Sequence, residues 1–479
     1  MNEAVVVGGG LAGITAALLL AERDWQVTLV EARPRLGGRA TSYLRDGSTV
    51  DNGQHVFLRC CTAYRGLLER LGAGPGSGLT VLQDRLDIPL RSASDGTEAV
   101  LRRTGAPAPL HLAGSLGRYG LLPLRDRARL GGTALALRFT DPADPAVDER
   151  SFGQFLRDHG QSPAAVSRLW SVISTATLNI DPDQASLALA AKVFRTGLLE
   201  HNDGSDLGYA AVPLGRIHDE LARAALAAAG VTVLTGTKAH PLGGDPNGDP
   251  NGDPTGNSNG DPNGSAAGGR TEVRVAGHDG ETRTLAADAV ILAVPHDVAA
   301  RLLPAPHSTD FAELGHSPII NVHLRYDRQV MAGPFLATVD SPAQWIFDRT
   351  ESSKTEPGQA AGQYLAVTVS AADQYIDLPT ARLAEIFEAE MQRVLPEARA
   401  AKLTDFFVTR ERRATFRQSC GSARLRPGAR TASPSIYLAG AWTDTGWPDT
   451  MESAVRSGVI AAHCALDAGD TGNETGAHT

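Results

Sequence analysis

The chain opens on a short β-branched run, Ala4-Val5-Val6-Val7, which stops at Gly8-Gly9-Gly10 and gives way to apolar residues at helical spacing over residues 11–21. A second strand-like run, Gln26-Val27-Thr28-Leu29-Val30, ends in Glu31, so strand, tight turn, helix and strand form one β-α-β unit. Later strand patterns cover 231–234, 271–275, the apolar run 289–294 closed by Pro295, and 436–439. The last meets Gly440 and precedes a helical pattern over 450–466. The pieces predict an α/β fold. A Rossmann-like nucleotide-binding domain, discontinuous in sequence, takes residues 1–85, 209–300 and 425–470, and a second α+β domain is built from 86–208 and 301–424.

Two stretches break this rhythm. Between 108 and 140, ten Leu or Phe residues interleave with Arg118, Arg125, Arg127, Arg129 and Arg138. The pattern fits a core helix with Arg on its wet face, or a helix lying on a membrane with Leu in the acyl boundary and Arg against anionic headgroups. Residues 243–269 are dominated by Gly, Asp, Pro and Asn in Gly-Asp-Pro-Asn-Gly repeats, a composition that cannot bury a core. They are expected to form a mobile hairpin loop, and residues 467–479 a flexible tail. Because closure entropy changes slowly with loop length, deleting 245–264 is expected to leave soluble yield, melting temperature and activity unchanged. Loss of soluble protein on deletion would contradict this.

Length and composition narrow the classes of function. The 479 residues are 42% hydrophobic and 21% charged, enough for several domains' worth of packed core. A net charge of −9 with no long basic run removes the electrostatic footprint of nucleic-acid binding, so no nucleic-acid partner is expected. Cys60, Cys61, Cys420 and Cys464 form no CxxC pair and indicate neither a disulfide scaffold nor a metal site; the vicinal pair reads as two small apolar fillers. No window of eighteen apolar residues lacks charge, and the first residues carry no basic leader. A cytoplasmic protein is expected, with 108–140 as its candidate for peripheral contact with the inner face of the cytoplasmic membrane.

Gly8-x-Gly10-x-x-Gly13 allows a sharp turn and sets the amides of the next helix, Leu11 and Ala12 included, against a pyrophosphate. Glu31, at the end of the second strand, is placed to accept hydrogen bonds from an adenosine ribose and to repel a 2′-phosphate. The chain then continues as Glu31-Ala32-Arg33-Pro34-Arg35-Leu36-Gly37-Gly38-Arg39, an extension that an NAD fold does not ask for. It resembles the second glycine motif of the flavoprotein family that includes monoamine oxidases, protoporphyrinogen oxidases and phytoene desaturases. The segments Asp51-Asn52-Gly53-Gln54-His55, 289–295, Leu438-Ala439-Gly440 and Met451-Glu452-Ser453-Ala454 resemble the same family. The resemblance implies FAD as cofactor. The positions it implies for binding are the two glycine motifs with Glu31, Ala32, Arg33 and Arg39, then Gly53, Gln54, His55, Ala239, Gly440, Ala441, Thr450 and Met451.

A narrower likeness, at residues 51–58, at Ala176-Thr177-Leu178-Asn179 and at Trp442-Thr443-Asp444-Thr445-Gly446-Trp447-Pro448, resembles the hydroxysqualene dehydroxylase family, also called squalene-associated FAD-dependent desaturases. It implies reductive removal of an allylic hydroxyl from a long apolar isoprenoid, within squalene or hopanoid synthesis, with a separate and unidentified reductant for FAD. A carotenoid-type desaturase, an amine oxidase and a non-catalytic FAD-binding partner of a squalene-forming complex are the alternatives. Two departures matter. The family commonly carries Asp where this chain has Ala441, leaving Asp444 as the nearest compensating acid. The lysine that amine oxidases place near the flavin has no counterpart, since Asn321 aligns there and Lys occurs only at 192, 238, 354 and 402.

Chemistry then asks for an acid to help water leave and for hydrogen-bonding groups to hold the hydroxyl. His55 is the expected proton donor, or else a residue that only hydrogen-bonds the flavin or backbone. Asn179, Asn321 and His323 are expected either to orient the hydroxyl or to be satisfied polar groups in a sheet or loop. Trp442 and Trp447 are expected either to line the substrate pocket or to be aromatic residues of an apolar core with no functional role.

Overall fold

The computed structural model describes residues 1–243, 270–278, 280–304, 310–354 and 362–476, the side chains of 470–476 excepted. The low-complexity segment beyond Gly243 and the last three residues of the expected tail lie outside the described residues.

Five parallel strands form the first sheet, in the order Thr232–Thr235, Gln26–Glu31, Glu3–Val7, Ala289–Leu292, Ile436–Leu438. A parallel sheet is covered on both faces, so its strands must be apolar on both. Val5, Val7, Val290 and Leu292 accordingly pack into one core, and Ala4, Val6, Leu29 and Ile291 into the other. From the central strand the chain first adds strands on one side and later on the other. The glycine turn after Val7 therefore sits at the point where strand order reverses, which is where such sheets bind ligands. Helix Leu11–Ala21 is buried nearly all round, because the sheet covers one side and the C-terminal helix the other; a Cβ on Gly458 would fall 2.3 Å from the Ala12 carbonyl oxygen.

That last helix runs Met451–Gly476, ten residues beyond the end expected at 466, so the first part of the expected tail is helical. Packing explains the difference: Gly469, a weak helix former, lies so close to Trp25 and Asn2 that a Cβ would clash with both. Lys238–Ala239, Thr271–Ala276 and Thr282–Ala287 make a separate antiparallel sheet, and the undescribed repeat segment joins the first two of these strands.

A seven-stranded sheet forms the second layer, in the order Leu403–Phe416, His316–Tyr326, Gln363–Val369, Trp345–Asp348, Phe335–Val339, Asp87–Ser92, Glu98–Arg102. Its strand His316–Tyr326 shows how alternation positions chemistry. Ile320, Val322 and Leu324 pack on Leu383, Phe387 and Met391 of helix Thr380–Val394, which turns Asn321 and His323 toward the nucleotide domain. The basic stretch resolves into a turn at Leu110–Leu112, a short helix Ala113–Gly117 and the helix Leu124–Phe139. Among the described residues no helix is long and apolar enough to cross a membrane.

Candidate functional site

The residues present form a cradle that fits a dinucleotide. Gly13 approaches the opening turn so closely that a Cβ would lie 1.9 Å from the Gly8 carbonyl oxygen. Gly38 adopts φ +60° with its Cα against Gly10, a left-handed conformation and a contact that a side chain would spoil. The Gly37 amide donates to the Gly9 carbonyl at 2.9 Å, so the two glycine motifs are one structural unit. Glu31 braces both: Oε2 accepts from the Gly9 amide at 2.6 Å and Oε1 from the Arg33 amide at 2.8 Å. A carboxylate offers about four acceptor sites, so two stay available for ribose hydroxyls. Gly10 caps the helix without a side-chain partner, and no acidic residue stands in its first turn. The free amides and positive dipole end suit a pyrophosphate.

Arg39 reaches out of the cradle to the Ala414 carbonyl on the long strand of the second sheet, while Ala32 and Arg33 are exposed at its rim. Ala239 is buried and pairs with Val275. It sits beside the cradle because the Thr237 amide donates to the Glu31 carbonyl at 2.9 Å.

The segment 51–55 joins the two sheets. Asn52 spans back to the Arg39 carbonyl through its side-chain amide, and its own carbonyl accepts from Asn321 Nδ2 at 2.9 Å and Thr409 Oγ1 at 3.2 Å. A Cβ on Gly53 would press on the Asn321 amide at 3.3 Å. Asp51 is a buried ion-pair partner: Oδ2 meets Arg349 Nη2 at 2.8 Å, and Oδ1 accepts from Ser42 Oγ at 2.5 Å and the Leu214 amide at 2.9 Å. Arg349 also donates to the Ala210 carbonyl at 2.8 Å.

His55 Nδ1 lies 3.1 Å from the Gly53 carbonyl oxygen, which can only accept, so Nδ1 carries the proton. Burial pulls the imidazole pKa below its ordinary value, against smaller opposing effects of the Gly53 bond and Asp51. The ring is therefore neutral near pH 7 and presents Nε2 as an acceptor, the hydrogen-bonding one of the two roles expected for it. His55 shares a narrow recess with Gln54, Val56, Tyr209, Phe347 and Arg349. Tyr209 gets there through strand pairing, opposite Val56. Burial raises its phenol pKa, so its O–H stays protonated. Nothing in the local sequence marks Tyr209, because the pairing joins segments about 150 residues apart.

Four of the remaining substrate candidates, Asn179, Asn321, His323 and Trp442, are buried and hydrogen-bonded within the protein. Asn179 ends helix Ser171–Leu178 in the left-handed region and spends its amide on the Ser317 carbonyl, Thr415 Oγ1 and the Ala371 amide. Asn321 is satisfied by Asn52 and Thr368. His323 stacks on Phe407 at 4.3 Å, bonds Tyr364 at 2.7 Å, and is held neutral by burial, its pKa pushed down to about 3. Trp442 is buried with Nε1 donating to the Val294 carbonyl at 2.8 Å. Only Trp447 is part-exposed; Lys192 and Arg456 lie over its ring. For four of these, hydrogen-bond partners lie 40 residues or more away in sequence, which no local pattern reports.

The C-terminal loop that follows Gly440 is wrapped around Arg426, a residue the sequence pattern did not single out. Its Nη2 is 2.6 Å from the Thr443 carbonyl oxygen, 2.8 Å from that of Trp447 and 3.3 Å from that of Ala441, and Nε donates to that of Trp442 at 3.2 Å. Ser453 Oγ donates to the Ala441 carbonyl, and the Gly440 amide donates to Ser457 Oγ. Thr450 opens the C-terminal helix, and Met451 packs on the nucleotide-domain core. Asp444 is exposed, and its Oδ1 accepts from the Gly446 amide at 3.2 Å.

Residues 11–466 match the family of flavin containing amine oxidoreductases. A hydroxysqualene dehydroxylase from Rhodopseudomonas palustris is 29% identical over 477 residues, covering 97% of this chain and 98% of its own. A carotenoid phi-ring synthase from Streptomyces griseus is 30% identical, covering 96% of this chain and 87% of its own. Among solved structures, a putrescine oxidase triple mutant superimposes with a TM-score of 0.69 at 18% identity, over 97% of this chain and 98% of its own.

Proposed function

The chain belongs to the family of flavin containing amine oxidoreductases, and from that premise we propose that it is an FAD-dependent oxidoreductase that reductively removes the hydroxyl of hydroxysqualene to give squalene. The observation that carries the reading is the recess beside residues 51–55, whose lining includes both a neutral imidazole, with no hydrogen-bond partner on Nε2 among the described residues, and a protonated phenol. An alcohol needs one acceptor and one donor. His55 Nε2 accepts a hydrogen bond from the hydroxyl, which keeps its proton, and the Tyr209 phenol donates to the hydroxyl oxygen, supplying the second proton with which it departs as water.

Bound FAD in its reduced form supplies the hydride, so that R–OH and FADH2 become R–H, water and FAD. The rest of the substrate is hydrocarbon and is held by burial alone, at about 25 cal/mol per Å². A carotenoid-type desaturase, which moves hydride from carbon to flavin, is the second reading, supported by the likeness to the carotenoid phi-ring synthase. Its hydrocarbon substrates have no group for the His55–Tyr209 pair to hold. An amine oxidase loses ground because Asn321, fully bonded to Asn52 and Thr368, stands where a lysine would be needed.

The test is anaerobic incubation of FAD-loaded protein with dithionite and hydroxysqualene, with products resolved by gas chromatography. Squalene is the expected product; its absence, with phytoene desaturated instead under oxidising conditions, favours the second reading. His55→Ala and Tyr209→Phe are each expected to lower kcat about 100-fold with the flavin spectrum retained. Full turnover by both variants removes the pair from the chemistry.

A further inference from the structure

The helix Leu124–Phe139 is amphipathic twice over. One side is bolted to the protein: Asp126, Leu130, Thr133 and Leu137 are buried, and Asp126 accepts from Ser162 Oγ at 2.7 Å. On the opposite side Leu124 is 73% exposed, Leu135 50% and Phe139 78%, with the small residues Ala128, Gly131 and Gly132 exposed between them. At 100° per residue these positions form one ridge along the outer face. Arg138 reaches the Ala108 carbonyl at 3.5 Å, which sets the neighbouring turn, with Leu110 at 63% exposure, beside the Phe139 end. Among the described residues, the only other large apolar side chains at least half exposed are Met1 and Leu44.

Arginines line this ridge on both sides, Arg127 and Arg138 along one edge and Arg125 and Arg129 along the other, with Arg118 just before the helix. The one acid in the stretch, Asp126, is on the buried face; among the described residues, Arg125 alone of the five arginines pairs with a carboxylate, and that is Asp126 at 3.8 Å. A cationic, apolar face on a chain whose net charge is −9 is a local and directional feature.

We infer that this face docks the protein on an anionic lipid bilayer, with Leu124, Leu135 and Phe139 in the acyl boundary and the flanking arginines at the headgroups. A second copy does not fit the charge: a two-fold contact through this face would set the same arginines against each other. The surface stands on its own geometry, whether or not the chain dehydroxylates hydroxysqualene. If it does, docking places the enzyme where a hydrocarbon product can be discharged.

Flotation of the full FAD-loaded chain with vesicles of phosphatidylcholine alone, or with added phosphatidylglycerol, tests the inference. Wild type is expected to float with the anionic vesicles, and less so as salt is raised. Arg118→Glu with Arg125→Glu is expected to weaken binding more than about five-fold per residue. Leu124→Asp with Phe139→Asp is expected to cut it at least about ten-fold. All four positions are exposed, and an unchanged melting temperature and flavin content show that the variants fold. The inference is overturned if wild type stays in the aqueous fraction with both vesicle types, or if the variants float as well as wild type. It is also overturned if light scattering shows a dimer that these substitutions disperse while no lipid binds.

Discussion

Arg349→Ala is expected to cost about 3–5 kcal/mol of unfolding free energy, read as a fall in the denaturation midpoint at unchanged slope. The reason lies in what the substitution leaves behind. Asp51 is 6% exposed and its Oδ2 meets Arg349 Nη2 at 2.8 Å; without the guanidinium that carboxylate is a buried charge with only Ser42 and the Leu214 amide for company. The Ala210 carbonyl loses its donor as well. Asp51→Leu combined with Arg349→Met is expected to recover much of the loss, since removing both charges removes the uncompensated one. Because Asp51 leads directly into Asn52, Gly53 and His55, the single variant is also expected to slow turnover more than the double variant does. A midpoint within about 1 kcal/mol of wild type for Arg349→Ala would show that the pair carries no more than a surface bridge.

The nucleotide cradle was legible because its parts are local. Gly8, Gly10, Gly13, Glu31, Gly37 and Gly38 fall within about thirty residues, and each answers a steric or electrostatic need that the residue type itself declares. The strands were legible for the same reason, as apolar runs bounded by glycine or proline. Side chains whose partners come from elsewhere were not. Asn179 could be read either as a polar group that orients a substrate or as a satisfied one, because its partners lie far off in sequence: Ser317 and Thr415 on the second sheet, and Ala371 just beyond one of its strands. His55 carried its chemistry in plain view, yet its tautomer depends on the angle at which Gly53 offers a carbonyl two residues back. Tyr209 needed the antiparallel pairing opposite Val56 before it could be seen at all. In the basic stretch the interleaving of Leu and Arg was readable as a pattern, but not which apolar residues face inward. Leu130 and Leu137 are buried while Leu124 and Leu135 are not, a difference set by the packing of Asp126 and Thr133.

Arg426→Ala is expected to weaken FAD binding more than about ten-fold and to destabilise the loaded protein by about 3 kcal/mol or more. Arg426 is 8% exposed, and its donors organise the loop from Ala441 to Trp447 by gathering carbonyls that would otherwise repel one another. Burial lowers its pKa, opposed by Asp444 and Asp449, and its guanidinium also lies over the Phe416 ring at 5.1 Å. The loop follows Gly440, whose φ of +143° and proximity to Trp442 leave no room for a Cβ, so its backbone path is fixed at both ends. The Ala441 side chain brings no polar group, so backbone amides are what this part of the loop can offer a flavin nucleotide, and Arg426 holds that backbone in position. Arg426→Lys separates charge from shape: a single ammonium cannot reach four carbonyls spread around a planar fork, so it should restore little of the affinity. Titration of the apoprotein with FAD, followed by quenching of flavin fluorescence, reads the constant directly. Full recovery in the lysine variant would mean that positive charge alone matters, and equal affinity in the alanine variant would mean that the loop finds its path without this residue.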